Sequence, residues 1–151
     1  MIPPLVRARL AVRSGQSLVE FSIVCFMLCI LTLAVFEMGR MVLVYATIAN
    51  AARVGARYAV VHGSSRSAGA GASNASGPSN NPAQVLSVVT NFASAGILTT
   101  SRLVITVTYP GSSNAPGQLV DVTVSYPYDP LTTFLPFRVN MGSTTQGVIA
   151  F

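Results

Sequence analysis

Charged side chains are scarce in this sequence. Only 9% of the 151 residues are charged, against about 25% in ordinary soluble domains, whereas 51% are hydrophobic. Lysine is absent, and the nine basic residues are all arginine. Four acids and one histidine supply few groups for acid or base catalysis, and no phosphate-binding loop or nucleophile motif occurs. We therefore expect a protein that is not an enzyme and binds no cofactor.

Metal and nucleic-acid binding are also disfavoured. Cys25 and Cys29 lie one helical turn apart within an apolar run, far in sequence from His62, so they do not make a zinc set. We interpret them as small apolar helix residues. The net charge of +5 is concentrated before residue 58, and no basic stripe interleaved with aromatic residues follows it. We expect no metal site and no nucleic-acid partner.

One long hydrophobic run dominates the sequence. Residues 18–36 carry a single charge, Glu20, and approach the ~20 residues that span the hydrocarbon core of a bilayer. This predicts a transmembrane helix in contact with lipid. A carboxylate at membrane depth is costly and marks a functional residue, so Glu20 needs a compensating partner.

The residues around Glu20 form a recognisable motif. Residues 13–21 read Arg-Ser-Gly-Gln-Ser-Leu-Val-Glu-Phe, with a glycine five positions before the glutamate. This resembles the class III signal of type IV pilins and pseudopilins. Phe21 after Glu20, and the later blocks 37–40 and 51–59, are similar to the TadE-like pseudopilins of the Tad (Flp) pilus system. The resemblance covers residues 14–62.

The resemblance implies a processing and assembly mechanism. A prepilin peptidase would cut between Gly15 and Gln16, and the new α-amine, largely cationic at neutral pH, would pair with Glu20 of a neighbouring subunit. Phe21 belongs to the same assembly motif. The implied partners are the peptidase, other Tad pilins and pseudopilins, and an inner-membrane assembly platform. The resemblance also implies a cytoplasmic N-terminus and a periplasmic C-terminal domain.

The helix extends well past the membrane. Residues 16–62 contain no proline, and some 45 helical residues would span roughly 68 Å, against ~30 Å of hydrocarbon. Beyond the membrane half, 18–36, Glu37 and Arg40 have the spacing of an ion pair, and Arg53 and Arg57 share a face. We interpret these four as possible partner contacts. The alanines between 46 and 59 fit either close packing or simple helix propensity.

The remaining chain predicts a small folded domain. Residues 1–15 are the leader, 63–82 a flexible linker containing the glycosylation pattern at Asn74, and 83–151 an α+β domain. Asn81 is the expected cap of a second helix ending at Gly96. Strands are expected at 103–109 and 119–126, with Gln146–Phe151 as a third. Residues 127–137 should form an apolar loop that either closes the sheet or docks a partner.

These features predict an α+β protein with a long N-terminal hydrophobic helix, a second helix and an antiparallel sheet of two or three strands. The function that the resemblance implies is that of a minor pseudopilin, since the major Flp pilins are little more than the helix. It would act in pilus assembly, priming or tip presentation. The alternative is an uncleaved, single-pass, membrane-anchored binding or adaptor module of the periplasm.

Overall fold

The fold is that of a computed structural model, which describes residues 4–66, 81–96, 98–131 and 138–151, with side chains from residue 15 onward. It contains helix α1, helix α2, a short 3-10 turn and three strands. Their bounds are α1 Pro4–Val61, α2 Ala83–Ala95, the turn Thr100–Arg102, β1 Val104–Thr108, β2 Leu119–Tyr128 and β3 Val139–Val148. The expected α+β class is confirmed. The chain divides into two compact units, Met1–Gly39 and Arg40–Phe151.

Helix α1 begins earlier than the sequence predicts. It starts at Pro4 rather than at Gln16, and its 58 residues include most of the expected leader. Proline is compatible with the first helical turn because the N–H it lacks would have no partner there. The residues expected to form a leader are therefore largely helical in the structure.

The end of α1 is held by contacts that satisfy its last carbonyl groups. His62 Nδ1 donates to the carbonyl of Tyr58 at 2.8 Å, so this side chain caps the helix end. The backbone N–H of Ala150 donates to the Val60 carbonyl at 2.9 Å, and Arg66 donates to that of Val61 at 2.7 Å. The helix therefore ends at Val61, one residue before the predicted limit.

The three strands form an antiparallel sheet in the order β1-β2-β3. Thr106 pairs with Thr123 on one side of β2, and Thr144 pairs with the same residue on the other. Alternate β2 residues are buried: Val120, Val122, Val124, Tyr126 and Tyr128. The opposite face is polar, and the hydroxyls of Thr123 and Thr144 lie 2.8 Å apart on it.

Two strand limits differ from the prediction. β2 continues through Pro127 to Tyr128, and β3 is Val139–Val148 rather than Gln146–Phe151. The pairing of β1 with β2 ends at Ser125, so Pro127 lies where β2 has only β3 as a neighbour and its missing N–H interrupts no bond. The predicted 127–137 loop therefore begins too early.

The core lies between the sheet and two helices in the unit Arg40–Phe151. The buried face of α2 consists of Val85, Val89 and Ala93. The small residues of α1 face the same core, because a Cβ built on Gly55 would lie 2.5 Å from Val89 Cγ2 and 3.1 Å from Val122 Cγ1. Of the two readings of the alanine-rich segment, close packing therefore applies to Ala52, Ala56 and Ala59, which are buried.

Asn81 has a different role from the one predicted. Helix α2 begins after Pro82, and no side chain caps it. The side chain of Asn81 instead accepts a hydrogen bond of 2.8 Å from the backbone N–H of Val107 in β1. The reason is that β1 is an edge strand whose outward N–H groups need acceptors.

Two predicted features lie outside the described residues. They are the interior of the 63–82 linker, with Asn74, and the apolar residues Phe134, Leu135 and Phe137 of the predicted loop.

Candidate functional site

The predicted cleavage and assembly residues lie on one exposed stretch of α1. Gly15, Gln16, Glu20 and Phe21 are all solvent-accessible, and Phe21 retains 71% of its surface. Helical spacing places Gln16 and Glu20 one turn apart on the same side. The stretch is therefore open to a peptidase, to lipid or to another subunit.

Packing does not explain the glycine at position 15. A Cβ built on Gly15 would meet no atom within 4 Å, although glycine inside a helix costs about 1 kcal/mol relative to alanine. Gly39 occupies an equally open position. Open space by itself therefore does not identify a cleavage site, and the case for Gly15 rests on the residues around it.

Glu20 has a polar neighbour within its own helix. The Gln16 Nε2 amide donates a hydrogen bond of 3.1 Å to Glu20 Oε1. The hydroxyls of Ser22 and Thr32 likewise donate to the carbonyls of Leu18 and Leu28, at 2.8 and 2.6 Å. These polar side chains therefore have partners inside the helix, as polar groups in hydrocarbon require.

Within the described ranges, the apolar side chains on both sides of Glu20 are exposed. The large hydrophobic side chains between residues 18 and 36 keep more than half of their surface, and the most apolar window of the helix is 0% buried. By length and composition, Gly15–Val61 is long and apolar enough to cross a membrane. Lipid or other protein chains must cover this surface, since its exposure to water is strongly unfavourable.

The cysteines show no bond and no metal cluster. Cys25 and Cys29 are free and exposed in the same apolar segment. Within the described ranges, no group of three or more histidine, cysteine or acidic residues could hold a metal ion.

Glu37 and Arg40 were predicted as a spaced ion pair and as possible partner contacts. Glu37 is buried, with 8% of its surface accessible. Arg40 donates from Nε to the Tyr128 hydroxyl at 3.1 Å and from Nη2 to the Asp129 carbonyl at 2.6 Å. Its guanidinium also lies 4.9 Å from the centre of the Tyr128 ring, within cation-π range. These contacts place Arg40 in the fold of its own unit.

Asp129 joins two further arginines to this cluster. Arg102 Nη2 donates to Asp129 Oδ2 at 2.7 Å. Arg138 Nε lies 3.2 Å from Oδ1, close enough for an ion pair, although the N–H does not point at the oxygen as a hydrogen bond requires. Sequence reasoning missed this cluster because its members are distant in the chain. The alternation of Tyr126 and Tyr128 was the available signal that β2 extends to Tyr128, next to Asp129.

Arg53 and Arg57 differ from Arg40, because both are exposed. Arg53 Nη1 donates to Asn50 Oδ1 at 3.1 Å, and both arginines line a groove between α1 and β3. Ala56 and Val60 contribute apolar surface to the same groove. Their role as partner contacts stays a prediction.

Comparison with known proteins matches part of this chain to a family. The family model described as TadE-like protein matches residues 15–57. No curated protein and no solved structure matches this chain. The matched residues begin at Gly15, include Glu20, the exposed apolar segment and Arg40, and end at Arg57, so the N-terminal helix of this chain is similar to that of TadE-like proteins.

Proposed function

We propose that this chain is a minor pseudopilin of a Tad-type pilus, cut between Gly15 and Gln16 by a prepilin peptidase. It acts in pilus assembly, priming or tip presentation. The TadE-like match supports a Tad pilus-related protein with an N-terminal apolar helix. The presence of a folded unit, Arg40–Phe151, supports a minor rather than a major subunit.

The observation that carries the proposal is the uncovered apolar segment 18–36. Burying an apolar side chain such as Leu or Phe contributes roughly 1.5–3 kcal/mol, so a row of them provides a large driving force for association with an apolar environment. Before assembly, the lipid bilayer supplies this environment. In the pilus, the equivalent helices of other Tad pilins and pseudopilins supply it.

Glu20 gives this otherwise non-directional association a register. The Gln16 amide occupies Glu20 Oε1, but an amide carries no charge to balance the carboxylate. The α-amine of a neighbouring subunit's Gln16 would supply that charge after cleavage. Register-setting is the best-attested use of such buried ionic pairs.

The proposal also specifies the membrane topology of the chain and its partner proteins. The N-terminus lies in the cytoplasm, where the peptidase and an inner-membrane assembly platform act on the helix, and the unit Arg40–Phe151 lies in the periplasm. The leader arginines Arg7, Arg9 and Arg13 support this orientation through the positive-inside rule.

The test is the mass of the protein in cells that contain the peptidase. Wild-type protein should lack residues 1–15, and Gly15→Leu should keep them. Gly39→Leu is the matched control, because Gly39 lies in the same helix in equally open space, and this variant should be processed normally. The same mass spectrum shows whether Gln16 carries a free, methylated or cyclised amine.

An uncut wild-type chain beside an active peptidase would contradict the proposal. The protein would then be the alternative, a membrane-anchored periplasmic binding or adaptor module, which depends on neither Gly15 nor Glu20.

A further inference from the structure

Among the described residues, no strand lies beside the outer edge of β3, and just past its end the N–H of Ala150 donates to the Val60 carbonyl of α1. Gly117 donates to the Ile149 carbonyl at 2.8 Å, and Ile149 donates to the Gln118 carbonyl at 2.9 Å, so Ile149 directs its backbone groups toward β2. Because these directions alternate along an antiparallel strand, the even-numbered residues direct theirs outward. They are Asn140, Gly142, Thr144, Gln146 and Val148. In the described part of the chain, no strand pairs with this edge.

The two edges of the sheet are protected differently. β1 has five residues, and Asn81 accepts the outward N–H of Val107. β3 has ten residues and contains no charge and no proline, the features that usually prevent an edge strand from pairing with another chain. The β3 edge is therefore suited to accept an additional strand.

A groove with unbalanced positive charge lies beside this edge. It has a volume of about 360 Å³ and is lined by Arg53, Ala56, Arg57, Val60, Val61 and residues 145–147 of β3. Arg57 has no hydrogen-bond or ion-pair partner among the described residues, and Arg53 bonds only to the neutral side chain of Asn50. A strand added to β3 would direct alternate side chains toward this groove, because strand side chains alternate between faces.

We propose that β3 binds an extended segment of a different protein by strand addition, with an Asp or Glu of that segment against Arg57 and Arg53. The main-chain bonds supply affinity, and the groove selects the side chains. Apolar residues on either side of the acid pack on Ala56 and Val60. This interface does not depend on processing at Gly15.

The charge of the groove indicates a partner other than a second copy. Among the described residues, the two edge strands are β1, with sequence VITVT, and β3, with sequence VNMGSTTQGV, and neither contains a carboxylate. Asp121 lies in the central strand, which already has a neighbour on each side. Pairing β3 with β3 would leave the arginines of both copies unbalanced.

The test uses the full chain in detergent micelles and a fluorescent ten-residue peptide of alternating valine and threonine, with one glutamate on the valine face. Fluorescence anisotropy gives Kd, and hydrogen exchange reports the outward amides of β3. We expect the peptide to bind and to protect Gly142, Thr144 and Gln146. A peptide with glutamine in place of glutamate should bind about fivefold more weakly.

Two variants test separately the contribution of the β3 edge and that of the positive charge in the groove. Thr144→Pro removes an outward N–H without breaking the ladder to β2 and should abolish binding, while Thr144→Val should not. Arg57→Ala should bind both peptides equally. Arg138→Ala removes the same charge from a residue outside the groove and should keep the preference for glutamate. If Thr144→Pro fails to fold, as judged by circular dichroism, Arg57→Ala still tests the proposal.

Three results would overturn it. The first is no binding at millimolar peptide, and the second is equal binding of the two peptides by the wild-type chain. The third is self-association of the wild-type chain in sedimentation experiments, if Thr144→Pro abolishes it and Arg57→Ala does not. A second copy of the chain would then be the partner that binds the β3 edge.

Discussion

The side-chain amide of Gln16 lies one helical turn before Glu20 and donates a hydrogen bond of 3.1 Å to its Oε1. In the proposed mechanism, two groups of Gln16 therefore donate hydrogen bonds, its side-chain amide and its α-amine. The amide donates to Glu20 of the same chain. The α-amine, once the leader is removed, pairs with Glu20 of the neighbouring chain. Among the described residues no donor reaches Glu20 Oε2, which leaves that oxygen for the neighbour.

Substitutions at these two residues should separate the two roles. Gln16→Ala removes the amide and keeps an α-amine, so we expect it to be processed and incorporated into pili. Glu20→Ala removes the acceptor of both bonds, so we expect normal processing with strongly reduced incorporation. Mass spectrometry measures processing, and immunoblots of sheared pili measure incorporation. Equal incorporation of Glu20→Ala and wild type would contradict the pairing.

The sequence predicts best where its signals are local. Helix α2 is defined by a short apolar period between a proline and a glycine, and the structure places it at Ala83–Ala95, close to its predicted limits. Strand β3 lacks such a signal, because its inward positions Met141, Ser143, Thr145 and Gly147 are mostly not hydrophobic. Its register with β2 defines it as a strand.

Long-range partners account for most of the remaining differences. Arg40 contacts Tyr128 and Asp129, which are 88 and 89 residues away in sequence. Sequence spacing alone therefore predicted only the nearby Glu37 as its partner. Asn81 has the local sequence of a helix cap, but its side chain instead accepts a hydrogen bond from the backbone N–H of Val107, 26 residues later. In both cases a buried or edge polar group that needed a partner determined the contact.

Close packing at Gly55 should make it intolerant of a side chain. Gly55→Ala places a Cβ 2.5 Å from Val89 Cγ2, and β-branched Val89 has few alternative rotamers in α2. We expect a loss of about 1–3 kcal/mol in the free energy of unfolding. Gly142→Ala is the control, since its nearest contacts are at an ordinary 3.7 Å, and it should change stability by about 0.5 kcal/mol or less. Thermal unfolding of the full chain in micelles measures both, and equal stability of the two variants would exclude this packing.

The hydrogen bond from Val107 to Asn81 should contribute measurably to stability. Asn81→Ala leaves the Val107 N–H without its acceptor, and we expect a loss of about 1–2 kcal/mol in the free energy of unfolding. Hydrogen exchange at the Val107 amide should accelerate in the same variant. Asn50→Ala, which removes only the exposed bond to Arg53, should cost about 0.5 kcal/mol or less. An unchanged exchange rate at Val107 would show that Asn81 does not hold β1 in solution.

The unit Arg40–Phe151 should fold without the membrane segment. Its core is drawn from α1 beyond residue 40, α2 and the sheet, and its buried residues begin at Ile48. A fragment of residues 40–151 should therefore be soluble and unfold in one cooperative transition. The full chain, in which residues 18–36 expose their apolar side chains, should remain with membranes until detergent is added. Sedimentation and near-ultraviolet circular dichroism measure these properties. A fragment that aggregates or lacks fixed tertiary packing would show that the first 39 residues are required for the fold, and the apolar helix would then be more than an anchor.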